Sequence, residues 1–223
     1  MPNISIAIDG PAGAGKSTIA KLVSKSMGII YLDTGAMYRT VALKAIREGI
    51  DTLDREKLSS LVRDIDIKIS YDGEEQRIFL EGEDVSGKIR TPQISIGASN
   101  VATIPEVRIK MVELQREIAA QNSVVMDGRD IGTYVLPNAN LKIFLTASTE
   151  ERAARRYKEQ LEKGVKDISL EDVKKDIEYR DKNDSSRSFA PLSKADDAIE
   201  LDTTNLTIEQ VAEIIMKYAG ELK

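Results

Sequence analysis

The chain has 223 residues, with 32 Lys and Arg against 37 Asp and Glu, and it contains neither histidine nor cysteine. The two missing types exclude Ser-His-Asp and Cys-His nucleophiles, zinc fingers and disulfides, so any catalysis must use Lys, Arg, carboxylates, hydroxyls, backbone amides or a hard metal ion. The net charge of −5 argues against a general nucleic-acid binder, because such proteins present a basic face to phosphates.

Segments that would target the chain to a membrane are not apparent in the sequence. The first residues carry neither a basic start nor a long apolar stretch, and no run of about 18 apolar residues occurs. We therefore expect a cytoplasmic protein without membrane or nucleic-acid partners. No heptad pattern or long apolar edge favours assembly, so a monomer is the simpler expectation.

The chain opens with the pattern of a strand, a loop and a helix. Ile4–Ile8 is a short apolar run rich in β-branched residues, and apolar residues recur at helical spacing from Ile19 to Met27. Gly28 stands where a helix C-cap is expected, and residues 29–32 predict the next strand. This βαβ unit predicts an α/β fold with a parallel sheet flanked by helices.

In the middle of the chain, the spacing of apolar residues changes from that of a helix to that of a strand. Helices are predicted over Thr34–Gly49 and about Asp54–Asp64, after which apolar and polar residues alternate on both sides of Asp72-Gly73. Alternation around such a turn predicts an antiparallel hairpin with one solvated face. We assign about residues 63–90 to a small β insertion.

The remaining elements restore the α/β pattern. Pro92 and Pro105 mark the first turns of two helices, and residues 124–126 and 141–145 predict buried strands. Capping boxes begin three more helices, the first ending near Lys163, and residues 198–201 predict the last strand. The boxes begin at Ser148, Ser169 and Thr207. We expect a single domain over residues 1–223.

One glycine-rich loop indicates that the protein binds a nucleotide phosphate. Residues 10–17 fit G-x-x-x-x-G-K-[ST], and they follow a predicted strand and open a predicted helix. In such a loop backbone N–H groups cradle phosphates, Lys16 would reach the β- and γ-phosphates, and the Ser17 hydroxyl would bind Mg²⁺. The predicted ATP contacts are Gly10, Pro11, Ala12, Gly13, Ala14, Gly15, Lys16, Ser17 and Thr18. The motif alone does not separate a kinase from a GTPase switch or an ATPase motor.

Carboxylates at the ends of strands are candidates for the metal. Asp127 follows a predicted buried strand, where a second acid would orient Mg²⁺ or its waters; the alternative is an Asp that only forms the turn before Gly128. Asp33 follows the second strand in the same way. The predicted metal site therefore comprises Ser17, Asp127 and Asp33.

Four arginine-bearing clusters accompany these motifs. Each alone is more often a solvated charged face, but together they favour a second anion held in line with the γ-phosphate. A phosphate monoester is a dianion at pH 7 and needs no general base, which fits the absence of histidine. The clusters contain Arg39, Arg129, the run Arg152, Arg155 and Arg156, and the pair Arg180 and Arg187.

Taken in order, five segments resemble bacterial cytidylate kinases over essentially the whole chain. They are the P-loop, residues 33–39, residues 81–91 with EGEDVS, residues 127–133 with DGRDIGT, and residues 187–192. The resemblance implies transfer of phosphate from ATP to CMP or dCMP. It also implies a core, a monophosphate-binding region over residues 36–105 that contains the β insertion, and a short lid over residues 150–166.

The resemblance also implies roles for individual residues. Arg39, Arg129 and Arg187 would surround the acceptor phosphate and base, with Lys16 and the lid arginines Arg152, Arg155 and Arg156 acting on the donor phosphates. The remaining CMP contacts would be Thr34, Tyr38, Ser99, Arg108, Asp130, Arg180 and Asp184. Two alternatives stay open: another small P-loop kinase, acting on a different monophosphate or a metabolite such as shikimate, and a non-catalytic nucleotide-binding switch.

Overall fold

The computed structural model describes residues 3–73, 75–162, 164–166 and 168–221. The strands are β1 Ser5–Asp9, β2 Ile30–Asp33, β3 Ile67–Asp72, β4 Glu75–Leu80, β5 Glu83–Asp84, β6 Val124–Gly128, β7 Leu141–Thr146 and β8 Ile199–Asp202. The helices are α1 Lys16–Met27, α2 Thr34–Arg47, α3 Arg55–Leu61, α4 Pro92–Val101, α5 Pro105–Gln121, α6 Thr149–Glu162, α7 Leu170–Ser186 and α8 Ile208–Gly220, with one π-helical turn at Ile131–Val135.

A parallel sheet forms the centre of the molecule, in the order β2-β6-β1-β7-β8. Its inner strands are buried on both faces, which explains their continuous apolar sequences. Cα atoms of Asp33 and Asp127 are register partners, as are those of Asp9 and Gly128. The carboxyl ends of three strands therefore meet at one edge, beside the loop that follows β1. The predicted α/β class with a P-loop-type parallel sheet is confirmed.

Helices cover this sheet on both faces. Apolar residues of α1 and α8 pack with β1 and β7 in one core cluster, and Val112 of α5 joins the π-helical turn and β6 in another. A third cluster joins α2, α4 and α5 to the β insertion. The insertion is thus packed onto the body through its own apolar core.

The β insertion is a three-stranded antiparallel sheet in the order β3-β4-β5. Its first two strands are the predicted hairpin, with Gly73 at φ 61° in the turn. The third strand, Glu83–Asp84, was not predicted, because two residues are too few to show an alternating pattern. The hydroxyl of Tyr71 donates to the carbonyl of Tyr31 at 3.1 Å and ties the insertion to the central sheet.

Several helix ends differ from the sequence prediction. Helix α2 stops at Arg47, two residues before the predicted end, and α3 is shorter than predicted. The caps are better predicted: Thr207 and Gln210 form a complete capping box, and Ser148 and Ser169 accept from the expected N–H groups. The predicted end of the sixth helix, Lys163, lies outside the described residues. Across the described ranges, no helix has both the length and the apolar character needed to cross a bilayer.

Candidate functional site

The loop between β1 and α1 has the backbone that its glycines permit. Gly10 has φ 146°, and a Cβ there would lie 2.1 Å from the carbonyl oxygen of Leu145. Gly15 has φ 85° and precedes the first turn of α1. The Nζ of Lys16 donates to the carbonyl of Pro11 at 2.6 Å, which folds the side chain back over the loop. Burial and the nearby Arg129 lower the pKa of Lys16 well below its ordinary value.

A carboxylate from β6 reaches the first turn of α1. Asp127 accepts from the Ser17 hydroxyl at 2.8 Å and from the Tyr31 hydroxyl at 2.7 Å. Burial and the neighbouring Asp33 carboxylate raise the pKa of Asp127 above its ordinary range. The hydroxyl of Thr34 donates to the Asp127 carbonyl at 2.6 Å and holds the backbone of Asp127 in place. The two predicted metal ligands, Ser17 and Asp127, are therefore adjacent.

Asp33 plays a local structural part as well. It is the N-cap of α2, accepting from the Ala36 N–H at 2.9 Å, and it accepts from Arg39 at 2.7 Å. Arg90 follows the β insertion and approaches the same carboxylate at 3.4 Å. Burial opposes ionisation of Asp33, but Arg39 and Arg90 outweigh it and hold the pKa below its ordinary value. In this structure Asp33 contacts two arginines, and its predicted contact with a metal ion stays a prediction.

These groups open onto one cleft of about 910 Å³. The cleft brings together most of the predicted site residues from elements that are distant in sequence. Those that line it are Gly13, Ala14, Gly15, Lys16, Ser17, Thr18, Asp33, Thr34, Tyr38, Arg39, Ser99, Arg108, Asp127, Arg129, Asp130, Arg155, Arg156, Arg180, Asp184 and Arg187. The predicted residues Gly10, Pro11, Ala12 and Arg152 lie outside its lining.

A buried ionic network forms one part of the cleft. Arg108, whose side chain is 1% exposed, donates to one oxygen of Asp130, and Arg187 donates to the other at 3.2 Å. The Arg108 guanidinium also lies 5.5 Å from the centre of the Tyr38 ring. Burial lowers the pKa of Arg187, and the adjacent Arg108 adds to the effect. Asp130 is therefore the shared counter-charge of two buried arginines.

A second network contains the other predicted acceptor-side arginines. Asp184 accepts from the Nε of Arg129 at 2.7 Å, and its second oxygen lies 3.5 Å from Arg187. Burial and the neighbouring Arg129 lower the pKa of Arg180 to about 10. Among the described residues, the buried Nε of Arg180 has no hydrogen-bond partner. The nearby carboxylates therefore do not fully neutralise the positive charge of Arg129 and Arg180.

Ser99 lies beside these groups on α4. Its hydroxyl accepts from the Asn183 amide at 3.3 Å, and Tyr179 donates to the neighbouring Asn100 at 2.8 Å. Both partners belong to α7. Helix α7 therefore contacts α4 at the cleft wall.

The three arginines of α6 have different surroundings. Arg155 and Arg156 line the cleft, where Arg155 donates to the Thr203 carbonyl at 2.6 Å and Arg156 to Glu159 at 2.8 Å. Arg152 is buried instead, and donates to the Ala12 carbonyl at 2.8 Å and to Asp181 at 2.6 Å. Protein acceptors occupy its guanidinium in this structure, and its predicted position over the donor phosphates stays a prediction.

The sequence comparisons identify the family. A sequence model described as cytidylate kinase matches residues 6–221. A cytidylate kinase from Caldicellulosiruptor bescii is 52% identical over 97% of this chain and 96% of its own, and one from Bacillus cytotoxicus is 53% identical over 98% and 96%. The chain belongs to the cytidylate kinase family.

Structural comparison supports the fold. A gluconokinase from Sinorhizobium meliloti aligns over 98% of this chain and 93% of its own, with a TM-score of 0.51 and 13% identity. At that identity the likeness concerns the architecture alone. The overall fold of this chain is thus similar to that of the gluconokinase.

Two carboxylates that accept from backbone N–H groups of the P-loop and the π-helical turn were not predicted from the sequence. Asp9 accepts from the N–H groups of Ile131 and Gly132 at 2.8 and 2.7 Å, and Asp181 accepts from the Ala12 N–H at 3.0 Å. A carboxylate directly before the P-loop was a usable signal for Asp9. Asp181 gave none, because it lies in a charged helix whose contacts depend on packing.

Proposed function

We propose that this protein transfers the γ-phosphoryl group of ATP to CMP or dCMP, giving ADP and CDP or dCDP. The observation that carries the proposal is a single cleft lined by the P-loop and by the buried Arg108–Asp130–Arg187 network. Phosphoryl transfer between two phosphates needs positioning and charge neutralisation more than proton transfer. The cleft offers both without histidine.

Donor binding is assigned to the loop of residues 10–18. Its N–H groups and the α1 N-terminus favour the triphosphate, and Lys16 would exchange the Pro11 carbonyl for phosphate oxygens. That exchange matters most in the transition state, where charge spreads over the γ-phosphate and the bond to the leaving β-phosphate oxygen. Arg155 and Arg156 are proposed to approach the phosphates when the α6 segment closes.

Acceptor phosphate binding is assigned to Arg39, Arg129 and Arg187, with Arg180 beside them. Planar guanidinium groups bind a phosphate dianion in a bidentate fashion, and the lowered pKa of Arg180 reflects burial and the neighbouring Arg129. An acceptor phosphate would relieve that repulsion. Held in line, one of its oxygens attacks the γ-phosphorus while the bond to the β-phosphate oxygen breaks, and no side chain has to remove a proton.

Base recognition is assigned to Asp130, Arg108 and Ser99. Cytosine carries an amino donor at C4 where uracil carries a carbonyl, so a carboxylate at that position accepts from cytosine and repels uracil. Arg108 would donate to the carbonyl side. Because the pair is buried, a monophosphate that fails to match leaves charged groups unpaired.

The oxygen ligands present fit Mg²⁺. The ion keeps most of its waters and takes one or two protein oxygens together with substrate phosphates, and Ser17 and Asp127 bring two oxygens within 2.8 Å of each other. Searching only the described part of the chain finds no group of three His, Cys, Asp or Glu that could form a complete cage. Ser17 and Asp127 would hold a nucleotide-borne Mg²⁺, which neutralises phosphate charge when bound.

The deciding experiment is a coupled ADP-release assay with ATP, Mg²⁺ and each nucleoside monophosphate in turn. We expect kcat/KM to be highest for CMP or dCMP. Faster turnover of AMP, GMP or shikimate would favour another small P-loop kinase. Tight ATP binding without turnover of any acceptor would favour a nucleotide-binding switch.

A further inference from the structure

A buried glutamine of α5 lines the cleft without taking part in either ionic network. Gln115 is 1% exposed, and it belongs to the cleft lining together with Arg108, Tyr38 and Asp130. Within the part of the chain that the structure describes, neither its Nε2 nor its Oε1 has a hydrogen-bond partner. Buried amides are almost always paired, so an unpaired one beside a ligand cleft requires an explanation.

The position of Gln115 on the helix relates it to the predicted base-binding residues. It follows Arg108 by seven residues, about two turns, so both side chains belong to the buried face of α5. The amide also lies close to Tyr38: burial raises the pKa of that hydroxyl, while Arg108 and Gln115 are among the neighbours that lower it. Gln115 therefore lies next to the ring that Arg108 contacts.

Most other polar atoms nearby already have a protein partner, although the buried Nε of Arg108 has none among the described residues. Both Asp130 oxygens accept from arginines, and Arg108 donates to Asp130 and to the Ala102 carbonyl. The Gln115 amide supplies one acceptor and two N–H donors; among the described residues none of them makes a hydrogen bond of good geometry, and the nearest interaction is a weak one with the Tyr38 hydroxyl. That combination matches the edge of a pyrimidine, where a ring acceptor and an exocyclic donor, or the reverse, are adjacent.

We propose that Gln115 binds the pyrimidine ring of the acceptor nucleotide directly through its side-chain amide. The inference rests on the proposed function and adds a base contact to it. An amide can rotate by half a turn and exchange its donor and acceptor, so it pairs with cytosine and with uracil. Gln115 thus contributes affinity for either pyrimidine, and the choice between them stays with Asp130 and Arg108.

The proposed contact lowers the stability of the enzyme without bound nucleotide. An unpaired buried amide is unfavourable, so an apolar side chain of similar volume makes the unliganded protein equally or more stable while it weakens substrate binding. A structural glutamine would behave in the opposite way, because its replacement would lower the unfolding temperature. A base-binding role and a structural role therefore predict opposite changes in the unfolding temperature when Gln115 is replaced.

The test compares Gln115→Met and Gln115→Leu with the wild-type protein. Thermal unfolding without nucleotide and KM and kcat for CMP, UMP and ATP are measured for each. We expect an unfolding temperature at or above the wild-type value, and a KM about three- to tenfold higher for both pyrimidine monophosphates. The KM for ATP and kcat change less than about twofold, since a neutral base contact acts in ground and transition states alike.

Gln121→Met, at the exposed end of the same helix, is the matched control and should change none of these values. If the wild-type enzyme uses CMP and both variants keep its KM, the base contact is refuted while the proposed function stands. A lower unfolding temperature with unchanged KM assigns Gln115 a structural role. If the wild-type enzyme turns over neither CMP nor UMP, the proposed function fails and this inference fails with it.

Discussion

Replacing Asp130 by Asn tests the buried network and the proposed base recognition together. The carboxylate neutralises Arg108 and Arg187, whose side chains are 1% and 2% exposed, and Asn keeps an acceptor but removes the charge. Removing one partner of a buried ion pair costs about 3–5 kcal/mol, because the remaining charge stays desolvated. The proximity of Asp184 to Arg187, at 3.5 Å, argues for the lower end of that range.

That loss converts into a measurable shift. For a chain of this size each kcal/mol lowers Tm by about 2–4 °C, so Asp130→Asn should unfold about 10 °C below the wild-type protein in the absence of nucleotide. Differential scanning calorimetry or circular dichroism measures it. Glu106→Gln removes an exposed ion pair with Arg55 and should leave Tm unchanged. An Asp130→Asn protein with the wild-type Tm would refute the buried ion pair.

The same variant tests selectivity. If Asp130 accepts from the cytosine amino group, Asp130→Asn lowers the ratio of kcat/KM for CMP over UMP by about tenfold, because Asn can also donate to the uracil carbonyl. The ratio is measured at a temperature where the variant remains folded. An unchanged ratio would remove Asp130 from base recognition, even if the stability prediction holds.

Three further predictions concern the donor side. Lys16→Met should lower kcat by about 10²–10³-fold with an unchanged circular dichroism spectrum, since Lys16 is assigned to charge that develops in the transition state, and wild-type turnover would contradict the assignment. Arg152→Met and Asp181→Asn should each raise the KM for ATP about 10- to 100-fold, because Arg152 and Asp181 bind each other and the backbone of Ala12. The double variant should have a KM no higher than either single variant. Additive losses in steady-state kinetics would show that the two residues act independently. Burial raises the pKa of Asp9 from its ordinary value of 3.8 to about 7, so the folded state holds the proton more tightly and wild-type stability falls as pH rises between these values. The Tm of Asp9→Asn relative to wild type should therefore rise from pH 4 to pH 7, and a constant difference would exclude Asp9 as the titrating group.

Local patterns predicted most elements of this fold. The P-loop, the βαβ opening and the Asp72-Gly73 hairpin all depend on residues close together in sequence, where glycine positions and apolar spacing restrict the backbone directly. Element ends were less predictable, because the last turn of a helix such as α2 depends on the packing of its neighbours. The strand Glu83–Asp84 and the π-helical turn carry no periodic pattern at all.

The candidate site divides in the same way. Local clusters indicated residues such as Arg39 and Arg129, the resemblance implied their roles, and the fold brings them to one cleft because parallel strands end at a common edge. The resemblance implied that Arg152 belongs to the lid, and the structure adds that its acceptors include a carbonyl 140 residues away. Which of three neighbouring arginines turns toward the cleft depends on the helical repeat and on what α6 packs against.

By itself, the sequence determined the chemistry available to this protein: a loop with the phosphate-binding pattern, hydroxyl and carboxylate oxygens of the type that a hard metal ion prefers, and arginines without histidine or cysteine. Only the tertiary structure decided how those groups are paired. It joins Asp130 to two buried arginines, joins Arg152 to the P-loop, and leaves the Gln115 amide unpaired among the described residues beside the cleft. The reason is physical: residue types and short spacings constrain the local backbone, whereas the partner of a buried polar group depends on segments that meet only after folding.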